Sequence, residues 1–149
     1  MDQGSEEKRT VSKRRQQRQC IVQCLYMWET QKEESIESLF DNYCEEEQTV
    51  IPESVLNAPF VINSLKGIVS HCDVIDAYIR EEAQNWSFQR IAKIDLAILR
   101  LALYELLFCK TTPAAVVINE AIEISKTFSS EDSKRFINGI LDKVAKNRG

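Results

Sequence analysis

Apolar residues recur along the chain at helical spacing almost throughout. Ile21, Cys24, Leu25 and Trp28 fall at i, i+3, i+4 and i+7, so one stripe of a first helix over 12–30 faces a core. Ile36, Leu39, Phe40 and Tyr43 repeat the pattern after Ser35, an N-cap residue type. Residues 48–59, with Pro52 and Pro59, read as a connection, because what precedes them is too short to hold its own core. A third helix uses Val61, Leu65, Ile68, Val69 and Cys72; Asp73 is positioned to cap a fourth, which turns Ile75, Tyr78 and Ile79 inward and ends near 85. The fifth, over 91–108, is apolar nearly all round and belongs at the centre with the others packed about it. Thr112 and Pro113 supply a cap and a first-position proline for a sixth helix carrying Val117, Ile118, Ala121, Ile122 and Phe128. Ser129-x-x-Asp132 resembles a capping box ahead of a seventh, whose stripe is Phe136, Ile137, Ile140, Leu141 and Val144. The expectation is an all-α single domain of about seven helices around a central apolar one.

Composition narrows this further. The chain has 149 residues, 44% of them apolar, and only four glycines, too few for a series of tight hairpins. At this length folding buries roughly 70% of the unfolded surface, which excludes disorder and a small stapled scaffold. The apolar run over 91–109 contains Lys93, Asp95, Arg100 and Glu105, so it is a core helix and not a membrane span. Five cysteines, an odd number set in apolar runs, and the lack of a signal-like N-terminus lead us to expect a cytoplasmic protein.

Charge adds a polarity that the totals conceal. Lys and Arg number 19 against 23 Asp and Glu, a net 19 − 23 = −4. Yet 8–18 holds six bases and no acid, 29–53 nine acids and one lysine, and 134–149 five bases and one acid. Such a balance argues against coating nucleic acid everywhere but permits a basic face. If the first helix starts near 12, Arg14, Arg15 and Arg18 sit against its positive end, where each loses roughly 0.3–1 kcal/mol unless an anion arrives. Arg14 and Arg18 are i, i+4 neighbours able to reach adjacent phosphates. The plainer alternative is a solvated basic tail, and residues 1–11 are expected to be flexible. Lys134, Arg135 and Phe136 follow the proposed cap of the last helix and make a second anion-binding start, where an aromatic can stack an unpaired RNA base. Phe136 equally fits the core stripe.

Catalysis finds little support. His71, the only histidine, has no nucleophile motif around it, and there is no Gly-rich phosphate loop or Cys-x-x-Cys pair. Cys20 and Cys24 share a helix face and are able to recruit His71 or Cys72 around a metal, but their apolar neighbours favour buried thiols. Glu45 to Glu47 are contiguous and point in different directions on a helix, so they form no catalytic pair. Arg100, Glu105, Asn119 and Glu120 interrupt apolar runs and are read as a polar network fixing helix packing. Gly139, which weakens a helix by about 1 kcal/mol relative to Ala, is expected at a close helix approach. No cofactor, no metal and no enzymatic activity are expected.

Several segments together resemble the NusB family of bacterial transcription antitermination factors. They are Lys13-Arg14-Arg15-Gln16-Gln17-Arg18 leading into 20–28, Ile98-Leu99-Arg100-Leu101-Ala102-Leu103-Tyr104-Glu105-Leu106, Pro113 with Ile118-Asn119-Glu120-Ala121-Ile122-Glu123-Ile124-Ser125-Lys126, and Ser133-Lys134-Arg135-Phe136-Ile137-Asn138-Gly139-Ile140-Leu141-Asp142. They cover about half the chain, whereas 35–85 matches only in helical character. The resemblance implies two packed helical subbundles over 12–149. It also implies an adaptor that binds boxA RNA of nascent ribosomal RNA together with the small-subunit ribosomal protein NusE, within an RNA polymerase antitermination complex containing other Nus factors. Carried over residue by residue, the RNA contacts are Arg14, Arg15, Arg18, Asp132, Ser133, Lys134, Arg135 and Phe136, and the NusE face includes Tyr26 and Asp95. Gln16 and Gln17 stand where many relatives have a further arginine and a small residue, and Asp95 where a glutamate is expected. Some relatives form homodimers that cover the RNA surface. The same fold also begins ribosomal RNA cytosine methyltransferases, an alternative for which a chain ending at Gly149 leaves no catalytic domain; a purely protein-binding helical scaffold is the other alternative.

Overall fold

A computed structural model describes the backbone of residues 2–83 and 87–148 and the side chains of 13–83 and 87–147. Among these residues there are helices and turns and no strand. The helices are α1 (Asp2–Thr30), α2 (Ile36–Glu47), the single turn α3 (Glu53–Leu56), α4 (Pro59–Ser70), α5 (Cys72–Glu82), α6 (Lys93–Tyr104), α7 (Ala114–Phe128) and α8 (Glu131–Arg148). A 3-10 turn at Phe88–Arg90 precedes α6, and a π-helical turn, Glu105–Cys109, extends it. Seven longer helices fall on the predicted stripes, although α1 begins ten residues before the expected start at 12. The expected end of the fourth near 85 lies outside the described residues, as do the side chains of the tail expected over 1–11.

The chain forms two compact units, Met1–Lys66 and Gly67–Gly149. In the first, α1 packs against α2 and α3, burying Ile21, Cys24, Leu25 and Trp28 of α1, Ile36, Leu39, Phe40 and Tyr43 of α2, and Val55 and Leu56 of α3. The Tyr43 hydroxyl donates to Gln23 Oε1 and joins the two long helices. Ser35 caps α2 as expected, its Oγ accepting from Ser38 N–H at 3.1 Å.

In the second unit α6 is central, with α5, α7 and α8 packed on it. Every residue of α6 from Asp95 to Leu103 is buried, which accounts for its apolar circumference. Arg100 is fully buried and forms a two-pronged ion pair with Asp76 of α5, Nε to Oδ1 at 2.9 Å and Nη2 to Oδ2 at 2.8 Å. Glu105 and Glu120 are also buried and partnered, whereas Asn119 is exposed.

Three caps differ from expectation. α5 begins at Cys72 with His71 ahead of it, placing Asp73 inside the first turn. α7 begins at Ala114, so Pro113 occupies the cap and Thr112 lies outside. Ser129 closes α7 in an extended conformation, and α8 is capped instead by Ser130, whose Oγ accepts from Ser133 N–H at 3.3 Å.

The glycines are also reversed. A Cβ on Gly139 would meet nothing within 4 Å, whereas one on Gly67 would collide with the ring and hydroxyl of Tyr104. The close approach is therefore at Gly67. Gly139→Ala, on the exposed side of α8, is expected to raise stability by about 0.5–1 kcal/mol, read as a higher Tm. A lower Tm would show that the glycine serves a conformation other than the helix.

Candidate nucleic-acid interface

The basic stretch of α1 lies in the body of a long helix, because α1 starts at Asp2 and not near 12. The dipole conflict inferred from sequence therefore does not arise. Helical spacing separates its members. Arg14 and Gln16 are exposed, Arg15 is half-buried, and Gln17 and Arg18 turn inward, Arg18 retaining only 5% of its exposure. Gln17 Oε1 is buried with no hydrogen-bond partner among the described residues, at a position where the family resemblance calls for a small residue. The Arg14 guanidinium stacks 3.9 Å from the centroid of the Phe60 ring at the start of α4, and that of Arg18 lies 5.6 Å from the same centroid. None of the three arginines lacks a partner within the protein. Tyr26, on the same helix, is 45% exposed.

In the second unit Asp132, Ser133 and Phe136 gather around one carboxylate. Asp95, in the first turn of α6, is 5% exposed, and both of its oxygens accept serine hydroxyls. Ser129 Oγ donates to Oδ1 at 2.6 Å and Ser133 Oγ to Oδ2 at 2.7 Å. These serines flank the α7–α8 turn, so Asp95 ties the start of α8 to the start of α6. Because Ser129 is spent on Asp95, the cap falls to Ser130. Lys134 forms an ion pair with Glu131 at 2.8 Å, and the ammonium holds the Glu131 carboxyl below its usual range. Arg135 and Asp132 are exposed. Phe136 is half-buried, neither a full core residue nor a free ring, and lines an open pocket of about 180 Å³ with Arg90, Ile91, Ala92, Asp95, Asp132 and Ser133.

The structure thus brings Asp132, Ser133 and Phe136 together with Asp95, and Arg14 together with Arg18, each group within its own unit. Two contributors escaped the sequence reading. Phe60 follows Pro59 and lies off the apolar stripe of α4, a signal visible in the sequence; Arg90 sits in a short turn that no periodicity marks.

The thiols carry no comparable chemistry. Cys20 and Cys24 are buried, and burial pushes both thiols above the ordinary value. No group of three or more His, Cys, Asp or Glu among the described residues is arranged to hold a metal ion. His71 packs its ring 4.1 Å from that of Phe108 and places Nδ1 2.8 Å from the Gly67 carbonyl oxygen.

Comparison with known proteins places the chain as a whole. The profile of the NusB family matches residues 15–146. The transcription antitermination protein NusB of Geotalea daltonii is 38% identical over 138 residues, covering 91% of this chain and 95% of its own. The solved structure of T. maritima NusB superposes with a TM-score of 0.77 at 34% identity, covering 89% of this chain and 90% of that one. A crystal structure of antitermination factors NusB and NusE in complex with dsRNA has the same fold, with a TM-score of 0.78 at 24% identity and coverage of 91% and 98%. With the second half of α1 and nearly all of the α6 to α8 segment inside the matched region, this chain belongs to the NusB family.

Proposed function

We propose that the protein is a transcription antitermination factor, an adaptor without enzymatic activity that binds boxA-type single-stranded RNA of nascent ribosomal RNA together with NusE. The family match over 15–146 carries this reading, and a protein of the same fold has been crystallised with NusE and RNA. RNA polymerase and other Nus factors complete the assembly. It acts in the cytoplasm; no helix among the described residues is long and apolar enough to cross a membrane.

The site chemistry supports the reading. Arg14 and Arg15 on α1, and Lys134 and Arg135 on α8, offer cations for phosphates, while half-buried Phe136 offers one ring face to a base. Arg18, being buried, serves by backing the cations of α1. Asp132 and Ser133 shape the α8 start, Tyr26 presents an exposed ring to NusE, and Asp95 serves the NusE face by fixing the backbone about it. Residues 12–149 act as the RNA-binding domain.

The test is affinity for a short boxA RNA against a scrambled RNA of equal length, with and without NusE, at fixed salt. Tighter boxA binding that NusE strengthens is expected, since linkage requires the two ligands to favour each other equally. With about four phosphates neutralised, the log–log salt slope should lie near −3. Arg15→Glu is expected to weaken boxA binding about tenfold without unfolding the protein. Equal affinity for both RNAs, unmoved by NusE, would overturn the proposal.

A further inference from the structure

We propose that the groove bounded by α5, the π-helical turn and the end of α8 is a self-association face, occupied by a second copy of this chain across a two-fold axis that leaves the start of α8 open to RNA. The proposal goes beyond the RNA-binding reading and does not depend on it.

The groove lies wholly within the second unit, has a volume of about 460 Å³ and is lined by Val74, Tyr78, Phe108 and Val144, with Glu81, Glu82 and Lys110 among the residues that bound it. Its floor is apolar surface that the fold leaves uncovered. Three of the six large apolar side chains exposed among the described residues stand here, Val74 at 48%, Tyr78 at 38% and Phe108 at 38%. Tyr78, expected from the sequence to turn inward, instead joins Val74 on the outer face of α5, because Cys72, Ile75, Asp76 and Ile79 fill the inner one. Lys110, which closes the π-helical turn, has φ 55°, a backbone that glycine takes freely and a side chain resists, yet a lysine is kept there.

Charge decides the occupant. α6 runs back along α5, with Arg100 opposite Asp76 and the Phe108 ring 4.1 Å from that of His71, so the chain passes Lys110 beside the start of α5. Glu81 and Glu82 lie in the last turn of α5, about 15 Å away along the helix. Among the described residues none of these three has an ion-pair partner in its own chain. A uniformly basic or acidic partner would meet one like charge. A two-fold copy lays the Lys110 end of each groove against the Glu81 and Glu82 end of the other, and so matches both. Val144 lies about 12 Å along α8 from Phe136, so a dimer formed here leaves Lys134, Arg135 and Phe136 of both copies uncovered.

The experiment is sedimentation velocity of the full chain over a concentration series, with thermal unfolding followed in parallel. A reversible monomer–dimer equilibrium in the micromolar range is expected, as for a small interface. Tyr78→Glu, Lys110→Glu and the Glu81→Lys/Glu82→Lys double variant should each weaken it about tenfold. Mixing the Lys110→Glu chain with the Glu81→Lys/Glu82→Lys chain should restore dimerisation, because both charge contacts then attract again. No contact within one chain can produce that rescue. Short boxA RNA should leave the dimer dissociation constant unchanged. A chain that stays monomeric throughout the micromolar range would overturn the proposal and leave the groove to a different protein. Dimers indifferent to all the variants, charge variants that stay monomeric when mixed, or dimers that RNA dissociates would overturn it as well. Should Tyr78→Glu fold poorly, Val74→Ser tests the same apolar centre from a more exposed position.

Discussion

Asp76→Ala is expected to lower the free energy of unfolding by about 3 kcal/mol, at the lower end of what removing one partner of a buried ion pair costs. The cost arises from Arg100, which is fully buried and would keep its charge with less to balance it. Arg100 has a further partner, which is why the lower end applies. The Cys72 thiol, whose Sγ donates to Asp76 Oδ2 at 3.6 Å, would lose its acceptor too. Replacing both charges by apolar residues of similar volume, Asp76→Leu with Arg100→Met, should restore most of the loss, because no charge then remains to be solvated. Urea denaturation checks this: the single variant should lower the midpoint with the slope m unchanged. A single-variant loss below about 1 kcal/mol would mean that other groups balance Arg100 and that the pair holds α5 to α6 only weakly.

Asp95→Ala is the second large effect. It removes an acceptor from both Ser129 and Ser133, two charge-assisted hydrogen bonds, and should cost about 2–3 kcal/mol. Unlike the Asp76 change, it should also reduce RNA affinity, by about tenfold, because the turn into α8 loses order that binding must then restore. Ser133→Ala should show a smaller loss of the same kind, and the two together should be less than additive because they share one bond. Thermal unfolding and boxA titration read the two consequences separately. A stability loss with unchanged RNA affinity would show that α8 keeps its conformation without the tie.

Much of this architecture was legible in the sequence because burial on one face of a helix writes its period into the chain. The stripes of α1, α2, α6 and α8 are examples, as is the fully buried α6. What failed depended on neighbours distant in sequence. Ser129 looks like a cap until Asp95, 34 residues away, takes its hydroxyl. Gly139 looks like a close approach because a helix glycine needs a reason, yet the space is needed at Gly67, where Tyr104 lies. Charge clustering marked Arg14, Arg15, Arg18, Lys134, Arg135 and Phe136, whereas Asp132, Ser133, Tyr26 and Asp95 came only through the family resemblance; local chemistry alone distinguished neither buried Arg18 from exposed Arg14 nor half-buried Phe136 from core. Phe60 was missed because its place off the stripe of α4 acquires meaning only once Arg14 and Arg18 are seen beside it.

Four of the five cysteines, Cys20 and Cys24 buried and Cys44 and Cys109 half-buried, bear on how the protein meets oxidants. The thiolate, not the thiol, attacks peroxides and disulfides, and burial raises Cys20, Cys24, Cys44 and Cys109 above their ordinary value. At neutral pH these four sulfurs are held in their unreactive form. These four side chains are therefore poor nucleophiles toward peroxides and disulfides at neutral pH.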